Sequence, residues 1–137
     1  PMYGEDLTFQ TPGKGLHEIT EPLKECIRRA DVESGLCSVF ILHTSASLLI
    51  TENADPSVKD DLMRWFDKLA PENDPEYTHT SEGPDDMPSH LRAAITRSSE
   101  QLPVKDGRLA LGTWQGVFIF EHRTKPHQRT VSVRVWD

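Results

Sequence analysis

The chain has 137 residues, 27% charged and 36% hydrophobic, with a formal net charge of -7 and a pI near 5.3. That length suits one globular domain over residues 1–137, able to bury about two thirds of its unfolded surface without disulfides or a structural metal. The acidic balance excludes a broad nucleic-acid-binding face, which needs a basic surface to release counterions, and a polybasic membrane patch; it leaves room for a small local basic pocket for an anionic ligand.

Residues 1–6 show no basic segment leading into an apolar run, and no stretch approaches the roughly 18 apolar residues of a membrane span. The expectation is a cytoplasmic protein without a signal peptide. Met2 to Gln10 alternates loosely and ends at Thr11-Pro12-Gly13, which predicts a strand closed by a turn. Gly15 to Ile19 resumes as a short strand. At Thr20-Glu21-Pro22 a hydroxyl, an acid and a proline predict a helix start with Thr20 as cap. Leu23, Cys26, Ile27 and Ala30 then fall on one helical face, and Ser34-Gly35 is the stop. Cys26 and Cys37, the two cysteines, read as reduced, buried thiols, because no CxxC spacing is present.

Leu36 to His43 is rich in branched and aromatic residues and predicts a strand buried on both faces. Ser47 to Thr51 follows after a short break, which suggests a hairpin between the two. Asp55-Pro56 opens a second helix, with Val58, Leu62, Trp65, Phe66 and Leu69 as its apolar stripe and Pro71 as its end. Glu72 to Asp86 is a long polar loop holding Tyr77 and His79; loops of this length inside a small domain are usually functional or disordered, and the histidines favour function. A third helix begins near Asp86-Met87-Pro88 with Leu91, Ala94 and Ile95 facing inward. Gln101–Val104 and Arg108–Leu111 flank a Lys105-Asp106-Gly107 turn, a hairpin signal. Trp114 to His122 is nearly all apolar from Gly116, and Thr130 to Trp136 alternates with Val131, Val133 and Val135 on one face. Hairpins outnumber crossovers, so the fold class is α+β with mostly antiparallel strands.

Chemistry concentrates on histidine. Of the six, His43 ends a strand, His79 sits in the long loop, and His90 lies four residues after Asp86 on the same helical face. Three imidazoles from three elements can make an open metal site, and imidazole is also the side chain best placed for proton transfer near neutral pH. Glu52, Asp55, Asp86 and Glu121 lie nearby in sequence and could orient the imidazoles or hold Mg2+, although Asp55 and Asp86 are also explained as helix caps. The glycine-bracketed Gly112-Thr113-Trp114-Gln115-Gly116 suggests close approach of backbone or ligand at Gly116. Arg123 and Arg129 offer forks for phosphate or carboxylate, with surface ion pairs as the plainer reading. Phosphate-loop, nucleophile-elbow and HExxH motifs are absent, and Ser45 and Ser47 beside His43 do not by themselves make a nucleophile.

These residues fall in three collinear blocks. His43-Thr44-Ser45-Ala46-Ser47-Leu48 with Glu52-Asn53 and Asp55-Pro56, then Asp85-Asp86-Met87-Pro88-Ser89-His90, then Gly112-Thr113-Trp114-Gln115-Gly116 with Glu121-His122-Arg123, resemble the signatures of the YjbQ-like family over nearly the whole chain. Departures lie outside the motifs, in the first strand, the first helix and the C-terminal tail. The resemblance implies a YjbQ-like β-sandwich of about seven mostly antiparallel strands with two to three helices, assembled as a homotrimer. It implies secondary thiamine-phosphate synthase activity, which joins a pyrimidine diphosphate to a thiazole phosphate and releases diphosphate. The expected site then has a divalent metal, Zn2+ or Mg2+, on His43, His79 and His90. His43, Glu52 and Glu121 take the catalytic and proton-carrying roles, and Ser45, Gln115 and Arg123 contact the phosphorylated substrate. A phosphohydrolase of small metabolites, or a non-catalytic metal- or small-molecule-binding module, are the alternatives.

Overall fold

A computed structural model describes residues 2–137. The described residues form an α+β fold of three helices and eight strands. In chain order these are β1 Met2–Thr11, β2 Gly15–Glu18, α1 Thr20–Ala30, β3 Gly35–Ile41, β4 Ala46–Glu52, α2 Pro56–Leu69, α3 Asp86–Ile95, β5 Ser99–Lys105, β6 Arg108–Leu109, β7 Gln115–Glu121 and β8 His127–Trp136. One sheet has the order β1-β8-β3-β5-β6 and the other β2-β7-β4. Every ladder is antiparallel. No helix is long and apolar enough to cross a membrane.

The core forms where the period-two pattern of the strands meets α1. Val131, Val133 and Val135 of β8 face Cys37, Val39 and Ile41 of β3 in register and share one buried cluster with Leu23, Cys26 and Ile27 of α1. Both cysteines are free thiols inside it, and burial pushes Cys37 up to about 12. β7 is buried on both faces from Gly116 onward and is the central strand of its sheet, between β2 and β4.

Five local expectations are corrected by packing. Thr20 does not cap α1: Ile19 holds that position without a side-chain bond. The Thr20 hydroxyl instead accepts from the Val117 N–H at 2.9 Å and donates to Glu18 at 2.8 Å, tying helix to sheet. The helix ends at Asp31, in the left-handed region at φ 54°, ahead of the Ser34-Gly35 stop. β3 and β4 do not form a hairpin. They lie in different sheets, so the break at Leu42–Ser45 is a crossing between layers. Nor is β3 buried on both faces within one chain, since Phe40 remains 46% exposed. On α3 the buried residues are Asp86, Pro88, Ser89 and Arg92, and Ile95 is 58% exposed. Polar partners hold that face: Ser89 Oγ meets the His122 carbonyl at 3.0 Å, and Arg92 Nη2 donates to Asp67 at 2.8 Å.

α2 follows its sequence more closely at its ends. Asp55 accepts from Ser57 N at 2.9 Å and Pro56 follows it. Its stripe is only partly used: Phe66 packs edge-on against Phe120 at 5.0 Å, whereas Trp65 is 56% exposed.

Candidate functional site

The segment between α2 and α3 is irregular. It brings His79 to the first turns of α3, where Asp86 and His90 share a face because they are four residues apart. His79 Nε2 lies 2.7 Å from Asp86 Oδ2. His90 Nε2 lies 3.4 Å from the same oxygen, and the two rings are 5.2 Å apart. One ligand atom from each of the three residues falls within 4.8 Å of the others.

His90 has a defined tautomer. Its Nδ1 meets the Thr44 carbonyl at 3.1 Å; a carbonyl only accepts, so Nδ1 carries the hydrogen, and in the neutral form of the ring Nε2 is the bare nitrogen that faces Asp86. A backbone carbonyl holding the far nitrogen of a ligating histidine is the usual outer support of a metal site. Asp86 is buried while its two histidine partners are partly open to solvent. Burial pushes its carboxyl up, but the His79 hydrogen bond and the charges of His90 and Arg123 outweigh that and hold it below the ordinary carboxylate range. Two imidazoles and one carboxylate on neighbouring elements, with open approach, fit a divalent cation, and the nitrogen content suits Zn2+ better than Mg2+.

Arg123, after β7, ties this group to the rest of the molecule. Its Nε donates to Asp85 Oδ2 at 3.0 Å, Nη1 to Asp86 Oδ1 at 2.9 Å, and Nη2 to the Glu82 carbonyl at 2.9 Å. Asp85 also accepts from Thr124 N at 2.8 Å. The guanidinium therefore clamps residues 82–86 onto the β7–β8 loop. Three of its five N–H donors are taken in this way.

The other expected site residues lie elsewhere. His43 is not part of the His79–Asp86–His90 group: its Nε2 accepts from Thr130 N at 2.8 Å, and burial, then the Arg129 charge, lower its basicity. With that nitrogen on a backbone donor, His43 fixes the end of β3 against β8. Glu121 is fully buried and saturated. It accepts from Arg129 Nε at 2.7 Å and Nη2 at 2.5 Å, from the Thr11 hydroxyl at 2.6 Å, and from Arg123 N at 3.1 Å. No lone pair is left for carrying protons. Ser45 receives the Arg129 guanidinium at 3.0 Å. Glu52 accepts from Asp55 N at 2.8 Å, supporting the start of α2. Gln115 accepts from Gly112 N at 2.8 Å, closing the turn into β7. Ser47 pairs with the buried His122 Nε2 at 2.9 Å, so neither serine is placed as an exposed nucleophile.

Asp86, which its place at the start of α3 also explained as a cap, is the centre of the cluster, and the Asp86–His90 spacing is its signal in the sequence. The Thr44 carbonyl and the Arg129–Glu121 pairing leave no such signal, because they depend on segments brought together only in the folded chain.

A family model described as UPF0047 protein YjbQ-like matches residues 5–137. A UPF0047 protein from Synechocystis sp. is 52% identical over 134 residues, covering 98% of this chain and 91% of the relative. The UPF0047 protein YjbQ of Salmonella typhimurium is 44% identical over 122 residues, covering 88% of each. A conserved hypothetical protein from Thermus thermophilus superposes with a TM-score of 0.86 at 34% identity, over 96% of this chain and 99% of that one. A YbjQ-like protein of unknown function from Sulfolobus solfataricus has the same fold, with a TM-score of 0.89 at 20% identity over 98% and 96%. The chain belongs to the UPF0047 YjbQ-like family.

Proposed function

We propose, with this family as the premise, that the protein is a metal-assisted enzyme acting on a phosphorylated small molecule, of the secondary thiamine-phosphate synthase type. The observation that carries the reading is the meeting of His79 Nε2, Asp86 Oδ2 and the bare Nε2 of His90 within 4.8 Å. A divalent ion, when bound, supplies a Lewis acid for phosphate oxygens, suited to a diphosphate leaving group. The chain's own part is positional. Thr44 orients His90, and Asp86 carries the negative charge that would offset the cation. Arg123 with Asp85 holds the 82–86 segment so that His79 stays against Asp86. Such preorganisation lets charge be met without reordering the site during reaction.

The protein is further proposed to work as a homotrimer. Support comes from the outer face of the larger sheet, where Met2, Trp136, Leu36 and Pro103 stand opposite one another across four strands. They make an apolar row, with Phe40 exposed on the same face of β3 four residues beyond Leu36, and this surface is suited to burial against other copies. A monomer mass by light scattering at micromolar concentration would count against it.

The test is the metal content of untagged protein beside a His79→Ala, His90→Ala double variant, followed by diphosphate release with pyrimidine diphosphate and thiazole phosphate together and singly. The expected result is stoichiometric Zn2+ or another divalent ion, lost in the folded variant, with diphosphate released only from the pair. No metal, and no reaction after adding Zn2+ or Mg2+, would overturn the reading. Release from a single substrate would point to a phosphohydrolase.

A further inference from the structure

The segment that carries His79 to Asp86 also borders a cavity of about 310 Å3, walled by Tyr77, His79, Pro84 and Met87, with Asn73 and Asp74 on its polar side. Bonds within the segment hold this shape. The Tyr77 hydroxyl donates to the Pro71 carbonyl at 2.8 Å, and the Tyr77 N–H to the Asp74 carbonyl at 3.1 Å. Asn73 turns the chain in the left-handed region at φ 63°. Across the cavity, His79 is fixed by Asp86 at 2.7 Å.

The wall selects the chemistry it can take. No lysine or arginine lines it, and Asp74 is its one charged side chain besides the imidazole, so a phosphate finds no cation here. Tyr77, Pro84 and the adaptable thioether of Met87 offer apolar surface to a flat ring. Beside them stands an unused acceptor: Asp74 Oδ1 takes the Glu76 N–H at 2.9 Å, while Oδ2 has no partner among the described residues. Burial, then the Asp74 charge, raise the pKa of the Tyr77 hydroxyl, which places that carboxylate beside the ring. The volume is at the low end of small-molecule sites, which run about 300–1,000 Å3, so it takes one ring and not two.

We propose that this cavity is the subsite for a nitrogen heterocycle of the substrate, with Tyr77 and Met87 against the ring and Asp74 accepting from its N–H groups. This deepens the reading of the His79–Asp86–His90 group as the reactive site and rests on it. His79 belongs to both, so a ring seated here lies against an imidazole of the cluster, with its phosphate-bearing arm outside the cavity.

The experiment titrates 4-aminopyrimidine, pyrimidine and inorganic phosphate separately into metal-stripped full-length protein, followed by amide shifts. 4-Aminopyrimidine should bind saturably and move residues 73–80 and 83–87; phosphate should leave them unmoved. Tyr77→Ala should weaken binding about tenfold, as loss of a stacking aromatic does. Tyr77→Phe, which keeps the ring and loses only the Pro71 bond, should retain most of it. Met87→Ala, on α3, should also weaken it, which keeps the test valid if Tyr77→Ala disorders the segment. Asp74→Asn keeps the acceptor for Glu76 and turns a donor toward the ligand, so it should abolish the preference for 4-aminopyrimidine over pyrimidine. Trp114→Ala, an exposed aromatic outside the cavity, should change nothing. No saturable binding, shifts confined to other residues, phosphate shifts at this cavity, binding indifferent to both Tyr77→Ala and Met87→Ala, or an equal loss in Trp114→Ala would each overturn the proposal. Because metal is absent from the titration, the two readings fail separately. Tyr77-dependent ring binding in a protein that never holds metal sinks the metal reading alone; metal held without ring binding at this cavity sinks this one.

Discussion

Glu121 and Arg129 face each other as a two-pronged ion pair inside the protein, with Nε to Oε1 at 2.7 Å and Nη2 to Oε2 at 2.5 Å. The pair joins the end of β7 to β8 and reaches Thr11 of β1 and Ser45 of the crossing loop, so four parts of the chain close on one charge pair. Arg129→Met would leave the carboxylate buried and unpaired, and should cost about 3–5 kcal/mol in urea unfolding. A loss below about 1 kcal/mol would mean that the pair is not the closure it is taken to be.

The same pair sets an acid limit. Burial raises the Glu121 pKa, but the Arg129, Thr11 and Arg123 N–H bonds outweigh it and leave it lowered. A carboxyl lowered in the folded state adds stability above its unfolded pKa of about 4.3 and loses it as pH falls further. Glu121→Gln should flatten the stability curve below that pH, seen as thermal midpoints measured from pH 5 downward.

His122 acts in a higher window. Burial, then the Arg92 charge, lower it to about 3. The unfolded chain takes up a proton near pH 6.5 that the folded chain refuses, so this contribution is complete above that pH and declines toward pH 3. The slope for one proton is at most about 1.4 kcal/mol per pH unit. His122→Phe should reduce the slope between pH 6 and 4; an unchanged slope would place the titration elsewhere.

Gly116 stands where a Cβ would come 2.5 Å from Glu18 Oε2 and 2.9 Å from Asn53 Cβ. Gly116→Val should destabilise by about 1–3 kcal/mol through overpacking, with a lowered thermal midpoint as the readout. An unchanged midpoint would refute the close approach.

Thr20→Val removes the acceptor for the buried Val117 N–H at nearly constant volume. The orphaned donor should cost about 1–3 kcal/mol, measured by chemical unfolding. Were Thr20 only a helix cap, Thr20→Asp would rescue stability; here it should not, because a second acid would sit beside Glu18.

Much of the fold was legible because its signals are local. The Val131, Val133, Val135 alternation, the Asp55-Pro56 start of α2, the Lys105-Asp106-Gly107 turn and the glycine at 116 each follow from backbone geometry and side-chain period over a few residues. The Asp86–His90 half of the site was legible for the same reason, as an i, i+4 pair on one helix.

What tertiary structure alone decided was partner choice. Chain order could not assign β3 and β4 to different sheets, since a short break serves a hairpin or a layer crossing equally well. It could not tell that His43 would meet a backbone N–H while His79 met Asp86, nor that Arg123 would be taken by Asp85 and Asp86. A polar side chain's role depends on which buried or charged group lies within about 3 Å of it, and for these residues that group lies 7 to 87 positions away along the chain. The sequence determined an antiparallel α+β domain with a histidine-bearing loop; only packing determined which acids and cations those histidines would face.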